Sequence, residues 1–187
     1  NDPLRERGDA TVALVRRKFL SPVTTGWHLI THPYEYGADH LPLCGVEQFQ
    51  KLPTAAFCSG FLASPTQIVT AGHCVQSKAD LGTIAFVFGF AADKDGVVKI
   101  DFSPVDVAFG AAIDGRSENA SGDWAVVTLS QPVSNHKVVH LSNAAVSSFT
   151  AIYMLRYPEG LPLTHPGDAE VSPCPDSEAF FRPTLVA

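Results

Sequence analysis

Short runs of β-branched, aromatic and small apolar residues, each closed by turn formers, fill this chain, and no segment sustains helical periodicity for three turns. That pattern specifies an all-β protein. Strands are expected at Thr11 to Val15, His28 to His32, Ala56 to Leu62, Gln67 to Ala71, Ile84 to Phe90, Val97 to Phe102, Val105 to Ile113 and Trp124 to Leu129. Eight such runs suffice to close a small barrel. After Gln131-Pro132 the pattern restarts, with strands expected at Phe149 to Arg156, Ala169 to Val171 and Ala179 to Leu185. A boundary near residue 134 follows: residues 1–133 form an N-terminal extension and a first barrel, and residues 134–187 a second unit. Asp95-Gly96 reads as a hairpin turn, since both residues tolerate positive φ. Asp93-x-Asp95-Gly96 resembles the start of a calcium loop but lacks its third acidic position and terminal Glu, which favours the turn.

With 187 residues, 45% hydrophobic and 17% charged, the chain has material for a real core, and its scattered Gly and Pro exclude collagen, coiled coil and general disorder. Thirteen basic against nineteen acidic residues give a net charge of −6, which repels phosphate backbones and excludes nucleic acid as an expected partner. The longest apolar runs fall far short of the roughly 20 residues that span a bilayer, so no membrane span is expected. The first residues mix charges where a secretory leader would carry an apolar core, so any leader is expected to have been removed. Cys44, Cys58, Cys74 and Cys174 form an even set that allows two disulfides in three connectivities. An oxidising compartment, extracellular or periplasmic, is the expectation. With no C-x-x-C pair and no Cys/His cluster at ligand spacing, neither a metal nor another cofactor is expected. His28 with His32 and His136 with His140 are four apart, which suits a metal on a helix; in strands such positions are roughly 13 Å apart. Arg16-Arg17-Lys18 reads as a solvated strand end, and Asn119-Ala120-Ser121 fits a glycosylation acceptor.

The stretch from Cys58 to Cys74 carries the chemistry. It is two apolar strands joined by a Ser64-Pro65 turn with a cysteine at each end. A bridge across this loop of about 15 residues would stabilise by roughly 3 kcal/mol and lock the turn that holds His73. Ala71 and Gly72 let that turn run tightly and present the imidazole at a strand end, as a general base requires. Fifty residues on, Asp123 heads the apolar strand Trp124-Ala125-Val126-Val127, where a carboxylate is costly unless paired. The other ring nitrogen of His73 is its natural partner, fixing the tautomer and stabilising an imidazolium.

These two segments resemble the histidine and aspartate motifs of the chymotrypsin/trypsin-like serine peptidases. Tyr157-Pro158-Glu159-Gly160-Leu161-Pro162-Leu163 is similar to a stretch of the bacterial glutamyl-endopeptidase-like branch, with Arg156 where that branch more often has Gly. The resemblance runs from about Ala56 to Leu185. It implies a double β-barrel, polypeptide substrates, His73 as general base and Asp123 as its orienting partner. In that family the strand corresponding to Ala179–Leu185 leads into a Gly-x-Ser-Gly loop. The sequence stops at Ala187, so the resemblance implies that the nucleophile, the oxyanion hole and the specificity pocket lie outside these residues. The second barrel would then be truncated, and a separate C-terminal chain is one way to supply the serine. Ser177 lacks flanking glycines and precedes the Phe180-Phe181 strand, so it reads as a solvated turn. Residues 1–187 alone are expected to show no peptidase activity. A non-catalytic interaction module is the alternative. Cys44 with Cys174 would tie down the second unit, leaving Cys58 with Cys74.

Overall fold

Strict alternation in the Thr11 to Arg16 and Ile84 to Phe88 runs would ordinarily leave one face wet, yet nearly every residue in both is apolar. The computed structural model, which describes residues 8–34, 49–144, 146–165, 167–172 and 182–185, shows why: both faces of these strands are covered. The strands are β1 (Thr11–Arg16), β2 (Leu20–Val23), β3 (Gly26–Leu29), β4 (His32–Pro33), β5 (Pro53–Thr54), β6 (Ala56–Ser64) and β7 (Gln67–Thr70). A single-turn helix α1 (Lys78–Leu81) precedes β8 (Ile84–Phe88), β9 (Asp101–Phe102), β10 (Val107–Asn119) and β11 (Gly122–Leu129). Beyond them lie β12 (Ala151–Tyr153), β13 (Asp168–Ser172) and β14 (Arg182–Leu185).

Six strands close a barrel in the order β1-β6-β7-β11-β10-β8, antiparallel throughout. Closure leaves these strands without a free edge. Val12 and Leu14 of β1 and Ile84, Phe86 and Phe88 of β8 point inward with Leu62, Ile68, Ala125 and Val127. The alternate residues Ala13, Val15, Ala85 and Val87 face outward into a second cluster with Leu20, Leu29, Phe90, Phe102 and Tyr157. The small sheet β2-β3-β9 supplies part of that cover.

Six of the eight strand runs expected before residue 130 enter the barrel. The His28 to His32 run breaks into β3 and β4, and of the Val97 to Phe102 run only Asp101–Phe102 is strand, joined to β3 outside the barrel. Pro104 opens a 3-10 turn, so Val105 and Asp106 precede β10. That strand runs on to Asn119, well past Ile113, and pairs along its length with β11. Around Asp95-Gly96 the chain reverses between Ala92 and Val98, and Gly96 alone takes positive φ there, at 80°. The amides of Asp95 and Val97 both donate to Asp93 Oδ1, so this carboxylate organises the turn.

β12, β13 and β14 form a separate three-stranded antiparallel sheet. The expected Phe149 to Arg156 strand shrinks to Ala151–Tyr153, with Phe149 at φ 65° before it. The segment that follows docks on the barrel. Tyr157 is buried, its backbone N–H donates to Ser59 Oγ at 2.9 Å and its ring stacks on Phe90. Burial pushes the Tyr157 hydroxyl pKa up, and that hydroxyl donates to the Thr11 carbonyl. The Ala55 amide donates to the Gly160 carbonyl, and Leu163 packs against the outer cluster. Cys44, Cys174, Ser177 and the Phe180-Phe181 pair lie outside the described residues, as does Ala179.

Candidate active site

β7 ends at Thr70, and Gly72–Cys74 turn in a single 3-10 loop at the barrel rim. Cys74 and Val75 drop into the inner core directly after His73, which anchors the turn from below. From the side, Cys74 is joined by a disulfide to Cys58 on β6, with Cα atoms 6.2 Å apart. From above, Arg116 on the extended end of β10 donates two hydrogen bonds to the Gly72 carbonyl and also pairs with Glu118. Gly72 is required by close approach: a Cβ there would stand 2.0 Å from the Ser117 carbonyl oxygen.

Asp123, the second residue of β11, reaches across to this turn. Its Oδ2 lies 2.6 Å from His73 Nδ1, and its Oδ1 accepts the His73 backbone N–H at 3.0 Å. The hydrogen bond from the His73 ring, aided by the backbone bonds of His73 and Gly72 and by the charge of His73, holds the Asp123 carboxyl below the usual carboxylate range. An ionised carboxylate only accepts, so Nδ1 donates its proton to Oδ2 and Nε2 is the ring nitrogen left clear of Asp123. Nε2 lies 3.9 Å from Cys58 Sγ, on a side chain that is 56% exposed. One carboxylate thus holds the residue at two points, Oδ2 the ring and Oδ1 the backbone amide, and leaves the other ring nitrogen clear of Asp123 on a largely exposed side chain.

An open cleft of about 940 Å³ lies beside Asp123, between the β6-β7-β11 face and residues 137–140, 153 and 155. Asp123, Trp124, His140 and Tyr153 are among the side chains that line it.

The other histidines go elsewhere. His28 Nδ1 lies 2.7 Å from Asp101, and His32 packs edge-on against Phe19. His136 stacks on Phe88 with Nδ1 against Asp9 and Nε2 against Asp106. Arg16 pairs with Asp80, and Arg17 donates to the Ile84 carbonyl beneath the Phe109 ring, so the basic cluster ties β1 down instead of standing free in solvent. Spacing along the sequence gives no Cys/His cluster, but folding brings Cys58, His73 and Cys74 ligand atoms within 4.8 Å of one another. In this state the two sulfurs are bonded to each other. Sequence reasoning also missed Arg116, whose polar strand end carries no signal of its contact with Gly72.

A closed six-stranded antiparallel barrel with a carboxylate-held histidine at a cross-linked rim defines a trypsin-like β-barrel protein. The trypsin family model matches residues 38–152, and the chain belongs to that family. The Tyr157–Leu163 stretch lies beyond the matched residues. No curated relative matches the sequence. Among solved structures, kallikrein-related peptidase 10 in complex with Zn2+ aligns with a TM-score of 0.51 at 12% identity, over 92% of this chain and 61% of that one. The secreted serine protease VesC from Vibrio cholerae aligns at 0.52 and 15% identity, over 88% of this chain and 29% of that one. An inactivated protease paralogue of the scabies mite aligns at 0.55 and 17% identity, over 97% of this chain and 73% of that one. The chain thus spans under two thirds of the length of the first two.

Proposed function

We propose that this chain carries the histidine–aspartate part of a serine endopeptidase acting on polypeptides. His73 is the general base and then acid, taking a proton at Nε2 from a serine and returning it to the leaving amine. Asp123 orients the ring and stabilises the imidazolium. The observation that carries this reading is the 2.6 Å contact between His73 Nδ1 and Asp123 Oδ2, on a histidine side chain that is largely exposed. The serine, its oxyanion hole and the specificity pocket belong, in this proposal, to sequence outside residues 1–187 or to a separate C-terminal chain. Residues 134–187 are part of a second barrel that such sequence would complete, with the cleft beside Asp123 facing it. The Tyr157-Pro158 stretch supports a glutamyl-endopeptidase-like branch, and the Cys58–Cys74 disulfide supports a secreted or periplasmic site of action; the proposal pairs the remaining cysteines, Cys44 and Cys174.

The test is labelling by a fluorophosphonate. Residues 1–187 alone should remain unlabelled, whereas the same chain joined to its encoded downstream residues should label, and His73→Ala should abolish labelling. Loss of one triad member still leaves about 10³ to 10⁴-fold catalysis over water in an otherwise complete site, so cleavage by residues 1–187 well above background would overturn the division of parts. A second reading is an interaction module without catalysis, favoured by the alignment with a protein described as inactivated. Absence of a Gly-x-Ser-Gly segment downstream would select it.

A further inference from the structure

The turn that presents His73 also holds three soft donors. The sulfurs of Cys58 and Cys74 and a ring nitrogen of His73 all lie within 4.8 Å, drawn from β6 and from two adjacent residues of the 3-10 turn. While the disulfide is closed, neither sulfur is a thiolate. A water-soluble phosphine opens it: the phosphine takes an oxygen from water and becomes the oxide, and Cys58 and Cys74 each gain a proton and one of the two electrons. The two thiols then sit on either side of the imidazole.

Tetrahedral zinc, with Zn–S near 2.3 Å and Zn–N near 2.0 Å, needs edges of about 3.5 Å from sulfur to nitrogen and about 3.8 Å between sulfurs. Cys58 Sγ already lies 3.9 Å from Nε2. The two sulfurs must part and Cys74 Sγ, within 4.8 Å of the ring nitrogen, must take up its own edge, movements that the proposal assigns to rotation about the two Cα–Cβ bonds. Asp123 on Nδ1 supplies the carboxylate partner that zinc-ligating histidines ordinarily have, and Nε2 is the ring nitrogen that approaches Cys58 Sγ. Cys74 is buried and the His73 side chain more than half exposed, so solvent reaches the histidine side of the cluster.

We propose that the reduced chain binds one Zn2+ through the Cys58 and Cys74 thiolates and His73 Nε2, releasing the two thiol protons. Two thiolates and an imidazole select zinc over calcium or magnesium. Because the ion occupies the nitrogen assigned above as the base, zinc binding and proton transfer by His73 exclude each other. The site does not depend on the peptidase reading and needs no serine.

The experiment is competition between the full 187-residue chain and a chromophoric chelator for zinc, before and after phosphine reduction, with Co2+ as a spectroscopic stand-in. The reduced chain should take one equivalent and the oxidised chain none. Cobalt should show thiolate charge-transfer and tetrahedral d–d bands. Asp123→Asn should weaken zinc binding by about 10 to 100-fold, the range for loss of a ligand's outer partner. His73→Gln should weaken it at least as much, and Cys44→Ser with Cys174→Ser should leave it unchanged. If reduction unfolds the chain, zinc must restore its circular dichroism and raise its Tm. Equal binding by the oxidised chain, indifference to His73→Gln, dependence on Cys44 or Cys174, or binding without recovery of fold would each overturn the proposal.

Discussion

Replacing Gly72 with alanine perturbs the turn without touching either ionisable side chain. The new Cβ would stand 2.0 Å from the Ser117 carbonyl oxygen and 3.0 Å from Asp123 Oδ1, where ordinary contacts are 3.4–4 Å. The Ser117 oxygen is backbone, in a strand paired with Trp124, and cannot swing aside as a flexible side chain would. The turn or the β10-β11 hairpin must retreat by more than an ångström. Overpacking of that kind costs about 1–3 kcal/mol. The retreat also stretches the charge-assisted bonds from Arg116 to Gly72 and from the His73 amide to Asp123, each worth about 1.5–3 kcal/mol. With each stretched bond keeping roughly half its worth, a total loss of about 2.5–6 kcal/mol follows, read from urea unfolding followed by tryptophan fluorescence. Gly96→Ala is the control: it meets nothing within 4 Å but sits at φ +80°, so it pays backbone strain of about 1–2 kcal/mol without any clash. A Gly72→Ala protein that loses no more than the Gly96→Ala protein, and keeps the downfield Nδ1 proton signal of His73, would refute the reasoning.

Ser59→Ala removes the acceptor for the Tyr157 amide and leaves that donor unpaired at a part-buried site, a loss of about 1–3 kcal/mol in urea unfolding. An unchanged midpoint would count against the docking role of that bond. Cys58→Ala with Cys74→Ala should lower stability by about 2–4 kcal/mol, measured the same way in the absence of zinc, since the bridge closes a loop of 16 residues' separation. Burial pushes the Asp106 carboxyl up, but hydrogen bonds from Lys99 and Ser103 and the charges of Lys99 and His136 together hold it below its ordinary 3.8. Its stabilising contribution is present above that value and is lost as pH falls through the lower folded one. Thermal melts between pH 5 and pH 2, a range set by about 4 for an unperturbed carboxylate, should therefore fall less steeply for Asp106→Asn than for the parent chain. Parallel acid limbs would show that the carboxylate contributes nothing.

The histidine and aspartate were legible because each signal is local. The hairpin from Cys58 to Cys74 contains its own turn, and Asp123 is conspicuous at the head of an apolar strand. Their meeting at 2.6 Å depends on β11 pairing with β7, which the apolar character of both runs permits but does not dictate. What sequence reasoning lost is long-range. Nothing in His28 to His32 or Val97 to Phe102 distinguishes a barrel strand from a covering one, because both bury the same kind of side chain. The polar stretch Asp114 to Asn119 looked like the end of β10. It continues as strand because Asp114 accepts from Gln67 and Thr128, Trp124 packs over Gly115, and Arg116 finds the Gly72 carbonyl. His136 meets Asp9 across 127 residues, a separation no local pattern reports. The Cys58, His73 and Cys74 donors converge by the same route, through pairing of β6 with β7.

The stitching of Tyr157, Gly160 and Leu163 onto the outside of the barrel has a practical outcome for anyone who digests this protein. The exposed connection that contains Leu141, Val146 and Phe149 is the natural place for a protease to nick. A single cut there should yield two fragments on a reducing denaturing gel that still elute together from a sizing column run in reductant, held by a tyrosine ring and a few amides.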